Sequence, residues 1–266
     1  MTFGTEPLAR LTISVVSHGH CALLAALLDD LAQWQTAGDI IVVTLNIPEP
    51  ELERSRWPGV LWIDNPKPKG FGANHNAALF GRASRWFAIL NPDIRIETDI
   101  LTALLAHADS DPEIGLIAPG VIGPDGTPQD SARRLLTPFR LLLRSGRRLS
   151  GRGIARPAQT ADELDWLAGM FVLVRQAAFA AINGFDERFF LYCEDMDLCI
   201  RLQLLGYRIK YVRQTVVVHD ARRDSHQSGK HLRWHIASLL QFWSTLTFWR
   251  YLLRKSNGFK LLPIDL

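Results

Sequence analysis

The chain has 266 residues, enough to bury a sizeable hydrophobic core in one large α/β domain or two small ones. Hydrophobic residues make up 47% of the chain and charged residues 21%, as in an ordinary folded domain, and the formal net charge is only +3. Three scattered cysteines exclude a disulfide framework and a structural zinc site. The N-terminus lacks a signal-peptide pattern and no run of about 18 apolar residues predicts a transmembrane helix, so we expect a reducing, cytoplasmic location.

The first half of the chain alternates apolar strands with amphipathic helices. Buried strands are predicted at Leu11–Val16, Asp39–Leu45, Val60–Ile63, Trp86–Leu90 and Ile114–Ala118. Helices are predicted at His20–Gln35, Ala73–Arg82 and Thr98–Asp109, the last with Thr98 as its cap. This alternation indicates a parallel sheet covered on both faces, with ligands bound outside the carboxyl ends of its strands.

The second half of the chain is less regular. Its predicted elements are a strand with an internal glycine at Asp165–Val174, a helix at Glu194–Leu205, short strands at Ile209–Val212 and Val216–Val218, and a long aromatic-rich helix at Lys230–Leu253. The segment Arg133–Arg156 contains eight arginines and no acid, which predicts a mobile basic loop. The sequence shows no repeat and no linker, so we predict a single domain over residues 1–266.

A polar turn, Asn91-Pro92-Asp93, follows the predicted strand Trp86–Leu90 at the edge where ligands would bind. A carboxylate in this position either caps the next helix or binds a divalent metal that holds a diphosphate. The second reading fits Mg²⁺, which takes one or two protein carboxylates together with phosphate oxygens. His219 closes the last apolar strand, where a histidine is more often structural. It would complete the metal site if that strand ends in the same crevice.

An acidic cluster lies between aromatic residues, with five acids in the segment 186–197. One reading is structural: Glu194 and Asp195 favour a helix N-terminus through the helix dipole, and Asp197 and Arg201 form a surface pair four residues apart. The other reading is catalytic. A Glu-Asp pair beside aromatic side chains is half-buried, which suits a general base whose pKa is tuned by apolar surroundings.

Six segments, taken in order, resemble family-2 glycosyltransferases, particularly the bacterial rhamnosyltransferase-like branch. They are LTISVVSHGH, NPKPKGFGANHNAAL, FAILNPDIRI, GPDGTPQDSARR, the long run from Asp165 to Val212, and VVVHD. The resemblance implies a GT-A fold, an α/β Rossmann-like three-layer sandwich with a mostly parallel central sheet and a C-terminal helical extension. It also implies that about 10–125 form the nucleotide-sugar-binding half, about 160–220 the acceptor and catalytic half, and about 228–256 the C-terminal helix.

The resemblance assigns roles to individual residues. Asp93 occupies the metal-binding position of the family's DxD-like motif, with Asn91 in place of the first Asp, and His219 matches a histidine that joins the metal. Asp195, paired with Glu194, matches the catalytic base. The other implied site residues are Ser17, His18, Gly70 and Asn76 near the nucleotide sugar, and Trp166 and Gly169 at the donor–acceptor junction.

Two departures from the family pattern concern the nucleotide. The Asp that usually follows the second strand and contacts the base or ribose is missing from the stretch Ile41–Asn46. The first strand is followed by Ser17-His18-Gly19 where Ser-Tyr-Asn is common. An alternative reading is therefore a degenerate member that binds a nucleotide sugar or a glycan without turnover.

The resemblance implies an inverting transfer that depends on Mg²⁺ or Mn²⁺. The expected donor is dTDP-rhamnose, with UDP- or GDP-hexoses as alternatives, and the expected acceptor is a cell-surface glycan or its lipid-linked precursor. The arginine-rich segment suits either an anionic pyrophosphate lipid or plain solvent. The aromatic C-terminal segment suits the inner face of the plasma membrane, the catalytic core or a homodimer contact.

Two other functions are disfavoured by the sequence. We expect no binding of nucleic acid, because the basic segment lacks interleaved aromatic residues and the net charge is small. A dinucleotide dehydrogenase is disfavoured because no GxGxxG follows the first strand.

Overall fold

The computed structural model describes residues 8–141, 164–220 and 229–256. The strands are β1 (Ala9–Ser17), β2 (Ile40–Leu45), β3 (Val60–Asp64), β4 (Ser84–Leu90), β5 (Ile94–Arg95), β6 (Ile114–Ile122), β7 (Ala132–Arg133), β8 (Trp166–Leu167), β9 (Phe171–Arg175) and β10 (Arg208–His219). The helices are α1 (Cys21–Trp34), α2 (Phe71–Leu79), α3 (Ile100–Asp109), α4 (Gln176–Ala181), α5 (Glu194–Leu204), α6 (Gly229–Trp243) and α7 (Leu246–Ser256), and a short 3₁₀ helix covers Arg54–Arg56.

The main sheet has eight strands in the order β3-β2-β1-β4-β9-β6-β10-β5, and it takes strands from both halves of the chain. Six strands run in one direction, while β9 and β5 pair antiparallel with their neighbours. The mostly parallel sheet is therefore confirmed, but it is mixed. A second sheet pairs only β7 with β8.

Helices cover both faces of the main sheet. The apolar sides of α1 and α3 pack on one face, where Leu24, Leu31 and Leu104 are fully buried. The other face is covered by α4, α5 and the C-terminal helices, whose Phe179, Phe242 and Phe248 belong to a second core cluster. Strands buried on both faces read as continuous apolar runs, which is why their positions could be predicted from the sequence.

Some predicted element boundaries are wrong, and hydrogen bonds show why. The cap of α3 is Asp99, not Thr98, because the Asp99 carboxylate accepts a hydrogen bond from the Thr102 backbone N–H at 3.1 Å. Helix α2 begins at Phe71 and ends at Leu79, earlier than predicted at both ends. The short strands β5 and β7 were not predicted.

The second half of the chain differs more from the prediction. The segment Asp165–Val174 is not one strand: it turns at 168–170 and contributes β8 and β9 to different sheets. The predicted pair of strands after α5 is one strand, β10, with a register shift between Val212 and Val216. The predicted long helix is two helices, because the Thr245 hydroxyl accepts a hydrogen bond from the Phe248 N–H and caps a new helix.

Most of the arginine-rich segment lies outside the described residues. Of its arginines, Arg133 belongs to β7, whereas residues 142–156 fall in the undescribed range. Within the described ranges, no helix is both long enough and apolar enough to span a bilayer.

Candidate active site

Asp93 and His219 meet at the edge of the sheet where β4 and β10 end. The short strand β5 pairs antiparallel with the end of β10, with Ile94 opposite His219. The Asp220 N–H donates to the Asp93 carbonyl at 3.0 Å and locks this crossing. As a result, Asp93 Oδ2 lies 3.1 Å from His219 Nε2. The structure therefore brings together the two residues that the sequence assigned to the metal.

The orientation of the His219 ring is set by Gln129, which the sequence analysis did not single out. The Gln129 amide N–H₂ donates to the His219 carbonyl at 3.0 Å, so its oxygen faces His219 Nδ1, 2.6 Å away. This pairing assigns the proton to Nδ1 and leaves Nε2 with a lone pair aimed at Asp93. Gln129 could have been identified in the sequence from its place in the segment GPDGTPQDSARR, one of those that resemble the family.

The pair fits a divalent cation. Among the described residues Asp93 Oδ1 is buried without a hydrogen-bond partner, and Oδ2 faces the Nε2 lone pair of the Nδ1–H tautomer, so a cation placed there would satisfy both oxygens. Adjacent ligands in an octahedral shell with bonds of about 2.0–2.1 Å are about 3.0 Å apart, close to the separation of Oδ2 and Nε2. Among the described residues no cluster of three or more His, Cys, Asp or Glu side chains could hold a metal, so substrate oxygens and water would complete the shell.

Asp195 lies in the first turn of α5, next to the turn between β8 and β9. Its Oδ2 accepts a hydrogen bond from the Gly169 N–H at 3.0 Å, and its Oδ1 accepts one from the Met196 N–H at 2.8 Å. One residue beyond Gly169, the Met170 carbonyl accepts from the Asn91 N–H at 2.9 Å. This chain of contacts links the carboxylate of Asp195 to the turn that carries Asp93.

The backbone before the acidic pair is strained. Tyr192 and Cys193 both adopt the left-handed conformation, with φ of 72° and 68°. Each non-glycine residue in this region costs of the order of 1–3 kcal/mol, and such strain is concentrated at functional sites. The strain turns the chain sharply into α5, so that Glu194 and Asp195 both fall in its first turn.

The Glu194-Asp195 pair is desolvated, as its aromatic neighbours predicted. Burial raises the pKa of Asp195, and the hydrogen bond from Gly169 opposes that rise. Burial also raises the pKa of Glu194 well above its ordinary value, and the charge of Asp195 adds to the effect. Glu194 Oε2 is buried without a hydrogen-bond partner. The buried Glu194 and the half-buried Asp195 therefore share one site, which favours the protonated form of at least one of them.

The predicted surface pair is instead a buried Asp197 with a half-buried Arg201. Arg201 Nε donates to Asp197 Oδ2 at 2.6 Å, and its Nη1 donates to the carbonyls of Ile182 and Gly184 at 2.7 and 2.8 Å. The surface reading failed because helical spacing alone does not show what packs against the pair. These contacts fasten α5 to the turn after α4.

The turn after β1 is built differently from the expectation. Ser17 is fully buried, and its hydroxyl accepts a hydrogen bond from the His20 N–H at 3.3 Å, so it shapes the turn. His18 is exposed, and its Nδ1 accepts from the Asn46 amide at 3.3 Å. Asn46 stands at the end of β2, where the family's Asp is missing. Its amide also bonds both the N–H and the carbonyl of Lys69.

An asparagine network joins these strand ends, and the sequence analysis missed it. The Asn65 amide donates to Asn46 Oδ1 at 2.8 Å and to Asn74 Oδ1 at 2.6 Å. All three side chains are buried. The network ties β2, β3 and α2 into one rigid wall beside His18.

Gly70 and Asn76 hold loops in place. An added Cβ at Gly70 would lie 2.8 Å from the Phe190 carbonyl oxygen, so only glycine permits this approach. The Asn76 side chain donates to the Phe185 carbonyl at 3.0 Å and accepts from its N–H at 2.9 Å. Its amide therefore acts as a structural clamp, and the implied contact to the nucleotide sugar stays a prediction.

Trp166 is also a structural residue here. The ring is buried, and its Nε1–H donates to the Arg134 carbonyl at 3.1 Å. The guanidinium of Arg133 lies over it, 4.9 Å from the ring centroid. Trp166 thus positions Arg133, and its role at the donor–acceptor junction stays a prediction.

Comparison with known proteins identifies the family. The model "Glycosyl transferase family group 2" matches residues 86–262. Rhamnosyltransferase WbbL of Escherichia coli (strain K12) is 45% identical over 80 residues, which span 30% of this chain and only 30% of that protein. An N-acetylglucosaminyl-diphospho-decaprenol L-rhamnosyltransferase of Mycobacterium tuberculosis is 30% identical over 212 residues, 71% of this chain and 67% of the relative.

A solved structure shares the fold. The mannosyltransferase PcManGT from Pyrobaculum calidifontis, in complex with GDP-Man and Mn²⁺, matches with a TM-score of 0.61 and 15% identity, over 97% of this chain and 80% of the other. This likeness confirms the predicted GT-A architecture and, at that identity, speaks for the fold alone. The family model and the mycobacterial relative together cover most of the sheet and the candidate site. The chain therefore belongs to glycosyltransferase family group 2.

Proposed function

We propose that this chain transfers a sugar from a nucleoside-diphosphate donor to a hydroxyl group of a glycan or lipid-linked acceptor. The observation that carries the proposal is the approach of Asp93 Oδ2 to His219 Nε2 at 3.1 Å, with Asp93 Oδ1 buried and unpartnered. A cation held by this pair would neutralise the leaving diphosphate. Asp195, which is linked to Asp93 through the Gly169 turn, would accept the proton of the acceptor hydroxyl.

Asp93 and His219 would hold a divalent cation, Mg²⁺ or Mn²⁺, with Gln129 fixing the imidazole from behind. When bound, such an ion neutralises the charge that develops on a leaving diphosphate. The imidazole ligand favours Mn²⁺ over Mg²⁺, which prefers oxygen ligands. Two protein ligands leave room for phosphate oxygens of the donor.

Asp195 acts as the general base. Its carboxylate takes the proton of the acceptor hydroxyl while that oxygen forms a bond to the anomeric carbon. The bond from the same carbon to the phosphate oxygen breaks, and its electron pair leaves with the nucleoside diphosphate. A single displacement of this kind inverts the anomeric configuration. The hydrogen bonds from Gly169 and Met196 aim the carboxylate, which supplies the positioning that the step needs.

Glu194 supports the base electrostatically. Because burial and the neighbouring charge both raise its pKa, Glu194 is the member of the pair that stays protonated. Asp195, with two backbone donors, keeps the charge. The arrangement keeps two negative charges from competing in one desolvated site and leaves a single base.

Rhamnose from dTDP-rhamnose is the donor sugar that we propose, because both relatives described above carry rhamnosyltransferase names. A UDP- or GDP-hexose is the alternative. The nucleotide would lie along the wall formed by His18 and the asparagine network, near Asn91. His18, exposed and held by Asn46, replaces the missing strand-end Asp as the candidate contact to the base or ribose. The intact Asp93, His219 and Asp195 geometry disfavours the binding-only alternative.

A lipid-linked acceptor would require the enzyme to work at a membrane surface, and the C-terminal helices offer a face for it. Each helix carries an outward apolar stripe whose side chains are between 49% and 72% exposed. The stripes are Leu232, Ile236 and Leu240 on α6, and Leu246, Trp249 and Leu253 on α7.

The charge around these stripes complements anionic lipid. Residues 229–256 contain five lysines and arginines and no acid, although the whole chain has a net charge of only +3. Exposed apolar side chains flanked by cations are typical of helices that lie in the interface of an anionic bilayer. We therefore propose that this face, the C-terminal apolar stripe, docks on an anionic membrane as a peripheral contact.

The proposed activity is tested by nucleoside-diphosphate release. Purified protein with Mn²⁺ or Mg²⁺ is offered dTDP-rhamnose, UDP-hexoses and GDP-hexoses, with and without a lipid-linked acceptor. We expect acceptor-stimulated release from one donor, lost in Asp93→Ala and reduced by about 10²–10⁴ in Asp195→Asn. Asp186→Asn, which changes an acid of the same segment whose carboxylate bonds Arg188, is the matched control. Nucleotide binding without release from any donor would support the binding-only reading instead.

A further inference from the structure

The inner face of α6 packs on the loop that leads into the acidic pair. His231, Trp234, His235 and Ser238 are spaced three or four residues apart and so lie on one side of the helix. The Ser238 hydroxyl donates to the Leu191 carbonyl at 2.8 Å and fixes α6 to this loop. This face is distinct from the C-terminal apolar stripe on the outer side of the same helix.

Two exposed aromatic rings lie where α6 meets the loop. The rings of Phe190 and Trp234 are 5.4 Å apart and tilted by 44°, yet 43% and 37% of these residues stay exposed. The adjacent Phe189 is fully buried, so the core reaches this loop although the Phe190 ring stays exposed. The Phe190 carbonyl accepts a hydrogen bond from the Phe71 N–H at 2.9 Å, which holds the loop in this position.

Polar groups surround this aromatic pair on the side of the base. The Tyr192 hydroxyl and His231 Nδ1 are 2.9 Å apart, and the rings of Tyr192 and His235 meet edge to face at 5.0 Å. Burial lowers the pKa of His235, and the Asp195 carboxylate opposes that shift. Tyr192, which contacts both histidines, precedes Asp195 by three residues and leads into α5, so this cluster adjoins the proposed general base.

We infer that Phe190 and Trp234 form an acceptor subsite that takes an uncharged pyranose ring, whose hydroxyl groups contact His231 and His235. The inference rests on the proposed function and adds the class of acceptor group and its location. The C–H face of a sugar packs on aromatic rings, while imidazoles supply both donors and acceptors for its hydroxyls. A rigid apolar platform with a few convergent polar groups is the usual form of such a site.

The test compares Phe190→Ala and Trp234→Ala with the unaltered full chain, with Phe80→Ala as the control at another exposed phenylalanine. Two quantities are measured. The first is the acceptor KM for transfer, beside donor hydrolysis without acceptor. The second is saturation-transfer NMR with methyl hexosides and methyl N-acetylhexosaminides, in the presence of the diamagnetic ion Mg²⁺ and nucleoside diphosphate. Circular dichroism checks that each variant is folded.

We expect the acceptor KM to rise at least about tenfold in both alanine variants, with donor hydrolysis unchanged. The saturation transfer to the glycosides should be lost, and Trp234→Phe should restore most of it. An unchanged acceptor KM in an active enzyme would overturn the subsite and leave the proposed function standing. If the unaltered chain transfers no sugar, the proposed function fails. The NMR experiment then tests the aromatic subsite by itself. The subsite is overturned if the unaltered chain shows no saturation transfer to any glycoside. It is also overturned if the alanine variants keep glycoside binding and lose vesicle binding.

Discussion

Gln129 holds His219 at two points, with its amide oxygen 2.6 Å from Nδ1 and its amide N–H₂ donating to the His219 carbonyl at 3.0 Å. The imidazole therefore cannot rotate without breaking the contact at Nδ1, and the bond to the backbone carbonyl keeps the Gln129 amide in place. His219 Nε2 stays aimed at Asp93 Oδ2, and these two atoms are 3.1 Å apart without a bound ion. A site that is fixed in advance binds its metal without first ordering its ligands.

Gln129→Ala should weaken Mn²⁺ binding by about 10–100-fold, because loss of a partner behind a metal-binding histidine typically has this effect. Electron paramagnetic resonance of free Mn²⁺, in a titration with nucleoside diphosphate present, measures the affinity directly. Gln33→Ala, at an exposed glutamine bonded to the Asp29 carbonyl, is the control. Equal Mn²⁺ affinity in the Gln129 and Gln33 variants would show that His219 is not a ligand held by Gln129.

Gly70→Ala should greatly reduce transfer without unfolding the protein. The new methyl group would meet the backbone of Phe190 at 2.8 Å, and backbone cannot move aside as a flexible side chain does. The loop that leads to Asp195 would shift, and a displacement of about 1 Å costs about 10²-fold in rate. The kcat is measured beside the melting temperature. The matched variant is Gly59→Ala, whose added methyl group meets nothing within 4 Å. Full activity of Gly70→Ala would contradict the requirement for this close approach.

Because His75 is buried, we predict that the protein loses stability in acid. The ring is fully buried against Phe71 and Phe87, and burial lowers its pKa from 6.5 to about 3. The unfolded chain therefore takes up a proton below pH 6.5 that the folded chain refuses. The free energy of unfolding should fall as the pH drops from 6.5 towards 3, by up to about 5 kcal/mol over the whole range.

Urea unfolding at pH 7, 6, 5 and 4 tests this dependence. His75→Phe should be less stable at pH 7 by about 1 kcal/mol, because the Ser14 hydroxyl loses its partner at 2.8 Å. It should lose less stability than the unaltered chain as the pH falls. His107→Phe makes the same change on the exposed side of α3 and should keep the full acid dependence. Parallel pH profiles for all three proteins would rule out His75 as the source.

The comparison of sequence and structure shows which features follow from local pattern. The strands of the first half of the chain and helix α5 could be predicted because continuous apolar runs and helical spacing are local signals. The antiparallel insertion of β9 could not, since the pairing of Phe171 with Leu90 depends on the path of the chain between distant segments. The break between α6 and α7 depends on one Thr245 cap, which a periodic pattern does not reveal.

The same distinction holds for the candidate site. Asp93, His219 and Asp195 could be proposed as site residues because they end strands or begin a helix in recognisable motifs. The contacts of Gln129 and Asn46 could not be predicted, because they depend on which distant atoms these side chains bond. The bonds of Asn76 to the backbone of Phe185 were missed for the same reason, since Phe185 is far away along the chain.

The C-terminal apolar stripe predicts binding to anionic membranes. Trp249 and Leu253 lie one turn apart on α7, 54% and 63% exposed, whereas Phe248 and Tyr251 of the same helix face the core. Replacing both exposed residues with serine removes apolar area without disturbing the packed side. We expect the unaltered chain to float with vesicles that contain 30% phosphatidylserine, and the double variant to lose at least about tenfold in partitioning. Neutral phosphatidylcholine vesicles should bind both proteins weakly, because the cations of residues 229–256 then find no anionic headgroup.

The control for this membrane prediction is Leu61→Ser, at an exposed leucine on the edge strand β3. If the double variant floats as well as the control but loses a dimer detected by light scattering, the stripe is a contact between two copies of the chain and not a membrane face.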